Sequence, residues 1–253
     1  MRSLPTAALL LLALAQTSAE AHTCRQLFLG GEPPAVSARA PGQRASLCFI
    51  AYAVLVSGVA RDPLWSAEHL TAHYARIAPF RRRAGTFHPE RRLPPEDRAY
   101  PRDYGRGWDK GHMTPAGDIA SRRAKDETFS MANIVPQRPE LNRGIWEGIE
   151  IAVRHLAERT GAVYIVTGPV LRPDDARMPN GRVEIPGATW KAIYDPATRQ
   201  GGAWVCTNSH APRCQTVSLA ALSRDIGVIP FPALPMAEQE APPHLPAPMP
   251  RRH

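Results

Sequence analysis

The chain has 253 residues, 43% of them hydrophobic and 21% charged, with a mean hydropathy of −0.30. That composition supplies one sizeable core and excludes a disordered, collagenous or coiled-coil protein. The formal charge of +8 rests almost wholly on arginine, because Lys110, Lys125 and Lys191 are the only lysines. The planar guanidinium fork suits phosphate and carboxylate partners, although a GC-rich genome would give the same bias without one.

In chain order, the first residues read as a secretory signal peptide over 1–21. Arg2 gives a positive start, Ala7 to Ala15 an apolar run, and Ala19-Glu20-Ala21 a small-x-small cleavage site. The run is too short to span a bilayer and no later run approaches that length, so the expectation is an unanchored protein, periplasmic or secreted. Cys24, Cys48, Cys206 and Cys214 all follow the cleavage site, and an even number in an oxidising compartment implies disulfides. Three pairings are possible. The local ones, Cys24 with Cys48 and Cys206 with Cys214, are favoured because the second closes a short loop between expected strands. His210 inside that loop makes a C-x3-H-x3-C metal site conceivable, although it lacks a fourth ligand.

Residues 22–229 are expected to form one domain. Strands are expected at Cys48 to Val56, Ala162 to Thr167, Arg182 to Ile185, Trp190 to Tyr194 and Gly202 to Cys206, each short, rich in β-branched or aromatic residues and bounded by Gly, Pro or Asp. A helix is expected from Ser66 to Ile77, with His69 and His73 four apart. That spacing can hold zinc, but the H-E-x-x-H signature is absent, so solvent-facing histidines are the simpler reading. From Phe80 to Gly107 the chain is dense in arginine and proline without periodicity, which predicts a long functional surface loop. The clearest helix follows Pro139, where Ile145, Ile149, Ala152, Val153 and Leu156 recur at helical spacing before Thr160-Gly161 ends it. The last stretch, 230–253, holds eight prolines in 24 residues and reads as a disordered tail. Helices intervene irregularly among the strands, so the fold class is α+β.

Two stretches carry chemistry: Trp108 to Asp118 (WDKGHMTPAGD) and Asn133 to Arg154 (NIVPQRPELNRGIWEGIEIAVR). Together they resemble the DNA/RNA non-specific endonucleases, the ββα-metal or His-Me finger group. The family's D-R-G-H signature is matched by Asp109-Lys110-Gly111-His112. Its second block is matched by Asn133, Pro136-Gln137, Leu141-Asn142, Gly144, Trp146, Glu150 and Arg154. Flanking pieces agree, at Trp65 to Thr71, Val166 to Val170, Ile185-Pro186 and Trp190-Lys191, so the resemblance runs from about Cys48 to Leu234. It implies a ββα-metal fold with a central, mostly antiparallel sheet flanked by helices.

The same resemblance implies a Mg2+-dependent, sugar-nonspecific phosphodiester hydrolase, with Mn2+ substituting, that leaves 5′-phosphate and 3′-hydroxyl ends. Its partners would be DNA and RNA, with a homodimer or an inhibitor protein as further partners. Phosphodiester hydrolysis needs a base for water, a cation for the developing charge and help for the leaving oxygen. His112 has the chemistry of that base. Asn142 would by default cap the long helix; the resemblance makes its amide oxygen the one direct protein ligand of the metal, a sparse site that suits an ion reluctant to shed water. Glu150 and Arg154, four apart, read as an ion pair; by resemblance Glu150 holds the metal's water or the leaving group and Arg154 contacts phosphate. Lys110 departs from the commoner arginine, keeping the charge but losing the fork. Arg81, Arg82 and Arg83 offer a further phosphate contact without matching any motif position. Two rivals share these features: a catalytically silent nucleic-acid binder or DNA-uptake protein, and an antibacterial nuclease toxin.

Overall fold

The computed structural model describes residues 21–37, 43–78 and 85–250. The expected signal peptide, apart from Ala21, and Arg81, Arg82 and Arg83 lie outside the described residues. A short strand β1 (Ala35–Val36) precedes β2 (Arg44–Cys48), β3 (Tyr52–Ser57) and β4 (Asp62–Thr71), which runs straight into the helix α1 (Ala72–Ile77). Then come β5 (Asp109–His112), α2 (Arg122–Glu127) and β6 (Ile134–Gln137), followed by a π-helical turn, Leu141–Trp146, that feeds α3 (Glu147–Thr160). The strands β7 (Ala162–Val170), β8 (Ala188–Asp195), β9 (Gln200–Thr207) and β10 (Cys214–Val217) form a meander, followed by α4 (Leu219–Ile226), β11 (Val228–Ile229) and α5 (Met236–Glu240).

Seven strands make one sheet in the order β10-β9-β8-β7-β4-β3-β2, every neighbouring pair antiparallel. The strands β5 and β6 form a separate antiparallel ribbon. The fold is therefore α+β with an antiparallel central sheet, as expected. Because side chains alternate along a strand, the sheet has two different faces. Trp65, Ala67, Val166, Trp190 and Ala192 pack on one side with Phe28 and with Leu219 and Leu222 of α4. Leu70, Val163, Ile165 and Ile193 pack on the other with Ile149, Val153 and Ala157 of α3. The α3 stripe is the one its periodicity predicts, and the helix ends at Gly161, whose φ of 101° suits a residue without a Cβ.

The disulfides join Cys24 to Cys48 and Cys206 to Cys214, the latter two facing each other across β9 and β10. This removes both sulfurs from the C-x3-H-x3-C metal site, and His210 instead meets Glu140 at 2.9 Å.

Four expected elements come out differently. The helix expected from Ser66 begins only at Ala72, because residues 66–68 pair with both β3 and β7 and residues 69–71 pair with β7; strand pairing outweighs local helical preference. His69 consequently stacks on its cross-strand neighbour Tyr164, ring centroids 4.1 Å apart, rather than pairing with His73. The strand expected from Cys48 breaks at a turn in which Phe49 N donates to Tyr52 O. The one expected at Arg182 to Ile185 makes only an isolated bridge between Arg177 and Glu184.

The expected disordered tail is instead packed over 230–250. Phe231 and Leu234 join the apolar core beside α4, and Glu238 accepts from Tyr194 and Arg199. Leu245 packs against the α3 core, while His244 N and Met249 N donate to Gly201 O and Gly148 O. The prolines that suggest disorder also pre-set φ and lower the entropy lost on docking, so a few apolar anchors suffice.

Candidate active site

The ribbon of β5 and β6 presents the first motif. Asp109 pairs with Gln137 and His112 with Ile134. Gly111 is dictated by close approach, since a Cβ there would lie 2.0 Å from Gln137 Oε1. The chain beyond His112 is locked by Asn133. Its Oδ1 accepts from Thr114 N and Ser66 Oγ, and its Nδ2 donates to Thr114 O and Thr128 O, all within 2.9–3.1 Å. With every polar group of a fully buried amide satisfied, Asn133 holds the segment that carries His112.

His112 rests edge-on against Phe129, 4.9 Å between centroids, and tilted against Phe87 at 5.5 Å. Its Nε2 is buried and has no hydrogen-bond partner among the described residues. Burial pulls its pKa down to about 4, so at neutral pH the imidazole is uncharged and can accept a proton. Lys110 projects from the same side of the strand, its Nζ 5.6 Å from the centroids of both Phe87 and Tyr104. Phe87 thus touches both Lys110 and His112. It comes from the arginine- and proline-rich segment, where no sequence pattern marks it.

Asn142 sits inside the π-helical turn, a distortion common at functional sites, and does not cap α3, whose N-cap position is Trp146. Its Nδ2 donates to Asp109 Oδ2 at 2.9 Å, while Arg143 grips the same carboxylate from Nε at 2.8 Å and Nη2 at 2.5 Å. Burial pushes the Asp109 carboxyl up, but the hydrogen bonds from Arg143 and Asn142 hold it below the usual carboxylate range. With the amide nitrogen engaged by Asp109, the acceptor capacity of this side chain lies in Oδ1. Among the described residues no three His, Cys, Asp or Glu side chains cluster to hold a metal, so a caged metal site is not built. A single amide oxygen in a half-buried setting suits a hard cation that keeps its water.

Glu150 and Arg154 share a face of α3 but do not form the expected ion pair. Arg154 Nη1 binds Asp118 at 2.6 Å. Burial drives the Glu150 carboxyl up to about 7, against the pull of Lys191 and Arg154. The structure therefore groups Glu150 and Arg154 with Asp118, Lys191 and Glu68, and joins Asn142 to Asp109. Among the described residues no hydrogen bond connects His112 to either set; the β5–β6 ribbon and the turn into α3 relate them. Asp118, Glu68 and Lys191 are absent from the sequence-based site, although each lies inside a segment that carries the resemblance.

The chain matches the DNA/RNA non-specific endonuclease family model over residues 30–232. It is 35% identical over 196 residues to "Nuclease EXOG, mitochondrial" of Danio rerio, covering 69% of this chain and 57% of that protein. It is 38% identical over 128 residues to the Homo sapiens protein of the same name, covering 50% and 34%. The "Mitochondrial nuclease" of Saccharomyces cerevisiae is 36% identical over 116 residues, covering 45% and 35%. The chain thus spans between about a third and just over half of the length of these relatives. These names overturn the expectation of a periplasmic or secreted protein, since relatives named as mitochondrial nucleases belong to neither compartment. A solved structure, "Crystal structure of the EndoG/EndoGI complex: Mechanism of EndoG inhibition", superposes with a TM-score of 0.66 at 25% identity, over 78% of this chain and 90% of that one. The ββα unit of β5, β6 and α3, the motifs it carries and these matches lead to one conclusion: the chain belongs to the DNA/RNA non-specific endonuclease family.

Proposed function

We propose that the protein is a divalent-metal-dependent endonuclease that hydrolyses phosphodiester bonds of DNA and RNA with little sequence preference. The observation that carries this reading is the buried, uncharged Nε2 of His112, unpartnered among the described residues, on the strand whose Asp109 orients Asn142. His112 takes the proton from the attacking water, an acceptor with no competing hydrogen bond to break. Asn142 offers Oδ1 to the metal, and Mg2+, with Mn2+ as substitute, supplies charge stabilisation to the phosphate when bound. Glu150 orients water on its flank and Arg154, held by Asp118, faces the phosphate. Lys110 adds a positive charge beside His112. Recognition through phosphate rather than base edges accounts for low sequence preference, and the products carry 5′-phosphate and 3′-hydroxyl ends.

The complex named for the solved relative supports a protein inhibitor as a further partner class. Incubating the full chain with supercoiled plasmid, single-stranded DNA and RNA, with and without chelator, tests the reading. Chelator-sensitive nicking that His112→Ala abolishes is the expected result. Binding without cutting by the wild-type protein would replace it with the silent-binder reading.

A further inference from the structure

At the Asp109 end of the β5–β6 ribbon, the register that pairs Asp109 with Gln137 brings Trp108 opposite Arg138. The two side chains meet there, with the Arg138 guanidinium over the Trp108 ring, 3.8 Å from its centroid. Trp108 packs half-buried against the apolar cluster that holds Tyr104 and Ile134, whereas Trp65, Trp146, Trp190 and Trp204 are buried. Of the chain's five tryptophans, it is the one that reaches solvent. Alternation along β5 puts it on the face that carries Lys110 and His112. Four residues of extended chain separate it from His112, about 13 Å, or roughly four base steps of a duplex.

The Arg138 backbone is clamped. Its N donates to Asn208 Oδ1 at 2.8 Å and its O accepts from Leu141 N and Asn142 N at 3.0 and 2.9 Å, while Asn208 Nδ2 donates in turn to Pro136 O and Pro186 O. The guanidinium, by contrast, has no ion pair and no hydrogen bond among the described residues. Arg143 and Arg154 are held by Asp109 and Asp118, and Glu140, which feels the Arg138 charge, meets His210 instead. A guanidinium laid over an aromatic ring is held by cation–π attraction. Its N–H donors stay at its edge, in the fork that takes two oxygens of one phosphate.

We propose that Arg138, seated on Trp108, forms a phosphate-binding subsite outside the catalytic centre, gripping a backbone phosphate of the nucleic acid a few nucleotides from the bond that is cut. Trp108 holds the fork in place, and the clamped backbone fixes it relative to Asn142. A cation so placed adds affinity and lays the strand across His112 without touching the reacting atoms. The choice of nucleic acid as ligand rests on the nuclease reading, but the contact is measurable without turnover.

The test is binding of a duplex oligonucleotide to the metal-free full chain, measured from low to moderate salt. Arg138→Gln should weaken binding about tenfold at low salt, the scale of one charge-assisted hydrogen bond, and should lower the log–log salt slope by about 0.9, the share of one neutralised phosphate. Trp108→Ala, which keeps the charge and removes its seat, should weaken binding by less. Arg159→Gln removes an equal charge from the exposed last turn of α3 and should leave affinity and slope near wild type. With Mg2+ present, Arg138→Gln should raise KM for the duplex and leave kcat unchanged, a split that a merely structural role would not give. An unchanged slope in folded Arg138→Gln overturns the proposal, and so does an equal loss in Arg159→Gln, which would make the effect one of net charge. If Arg138→Gln does not fold, wild-type affinity in Trp108→Ala overturns it instead. A wild-type chain that binds duplex without cutting it refutes the nuclease reading, while the salt slope still judges the contact; one that binds no duplex overturns both.

Discussion

The two faces of the central sheet are built from the same strands and serve opposite ends. On β4, Trp65 and Ala67 enter the apolar core under α4, while Ser66 and Glu68, their immediate neighbours, enter the polar face under α3. The pattern repeats at Val166 and Thr167 on β7 and at Trp190, Lys191 and Ala192 on β8. The α4 face stabilises by removing apolar surface from water. The α3 face gives up part of that gain to hold charges beside the ββα unit. A strand with period-two alternation can thus support a core and a site at once, one residue apart.

Four measurements break or sharpen that contrast. The largest effect belongs to the site: His112→Ala is expected to lose about 10²–10⁴ in plasmid turnover while still binding duplex, and a fully active variant would falsify the mechanism. On the apolar face, Trp190→Ala should cost about 3–5 kcal/mol by cavity formation, read as a lower denaturant midpoint, with normal turnover per folded molecule. A large change in pH–rate profile from Trp190→Ala would erase the distinction between the faces.

Asn142→Ala should show a raised metal requirement that excess Mg2+ partly offsets, with little change in melting temperature because the side chain caps nothing. Asp109→Asn, which weakens the anchor of that amide, should move the same titration in the same direction by less. If Asn142→Ala loses stability but keeps its metal response, the site reading of the π-helical turn is wrong.

The smallest effects are those of pH on stability, and they run in opposite directions. Glu150 is held at about 7 in the fold against ~4.3 unfolded, so its contribution is fully present below that unfolded value and is lost as pH rises through 7. His112 is held at about 4 against ~6.5 unfolded; its contribution is present above 6.5 and is lost as pH falls through 4. Thermal melts in metal-free buffer should therefore show Glu150→Gln flattening the neutral side and His112→Gln the acid side. Slopes unchanged in both variants would show that neither group is buried as described.

Much of the ββα unit was legible in the chain, because its residues are contiguous. The Asp109 to His112 and Asn133 to Arg154 stretches lie within 46 residues, and the α3 stripe announces itself by period. What was illegible follows from how sheets form. Ser66 to Thr71 has helical-looking spacing, and only the arrival of β3 and β7 on its two edges makes it a strand. The 230–250 stretch looks too poor in apolar residues to fold, and only α3, α4 and β9 supply the surfaces on which Phe231, Leu234 and Leu245 are buried.

By itself the sequence determined the family, the identities of the residues offered for chemistry and the short-range disulfide. Each depends on residue type and local spacing alone. Tertiary structure decided which atoms are free and which are charged. The nitrogen of Asn142, not its oxygen, is tied to Asp109. Arg154 pairs with Asp118 rather than Glu150. Lys191, remote in sequence from both motifs, joins the cluster on α3. Hydrogen bonding and burial depend on distances between segments, and those distances exist only once the antiparallel sheet has set its register.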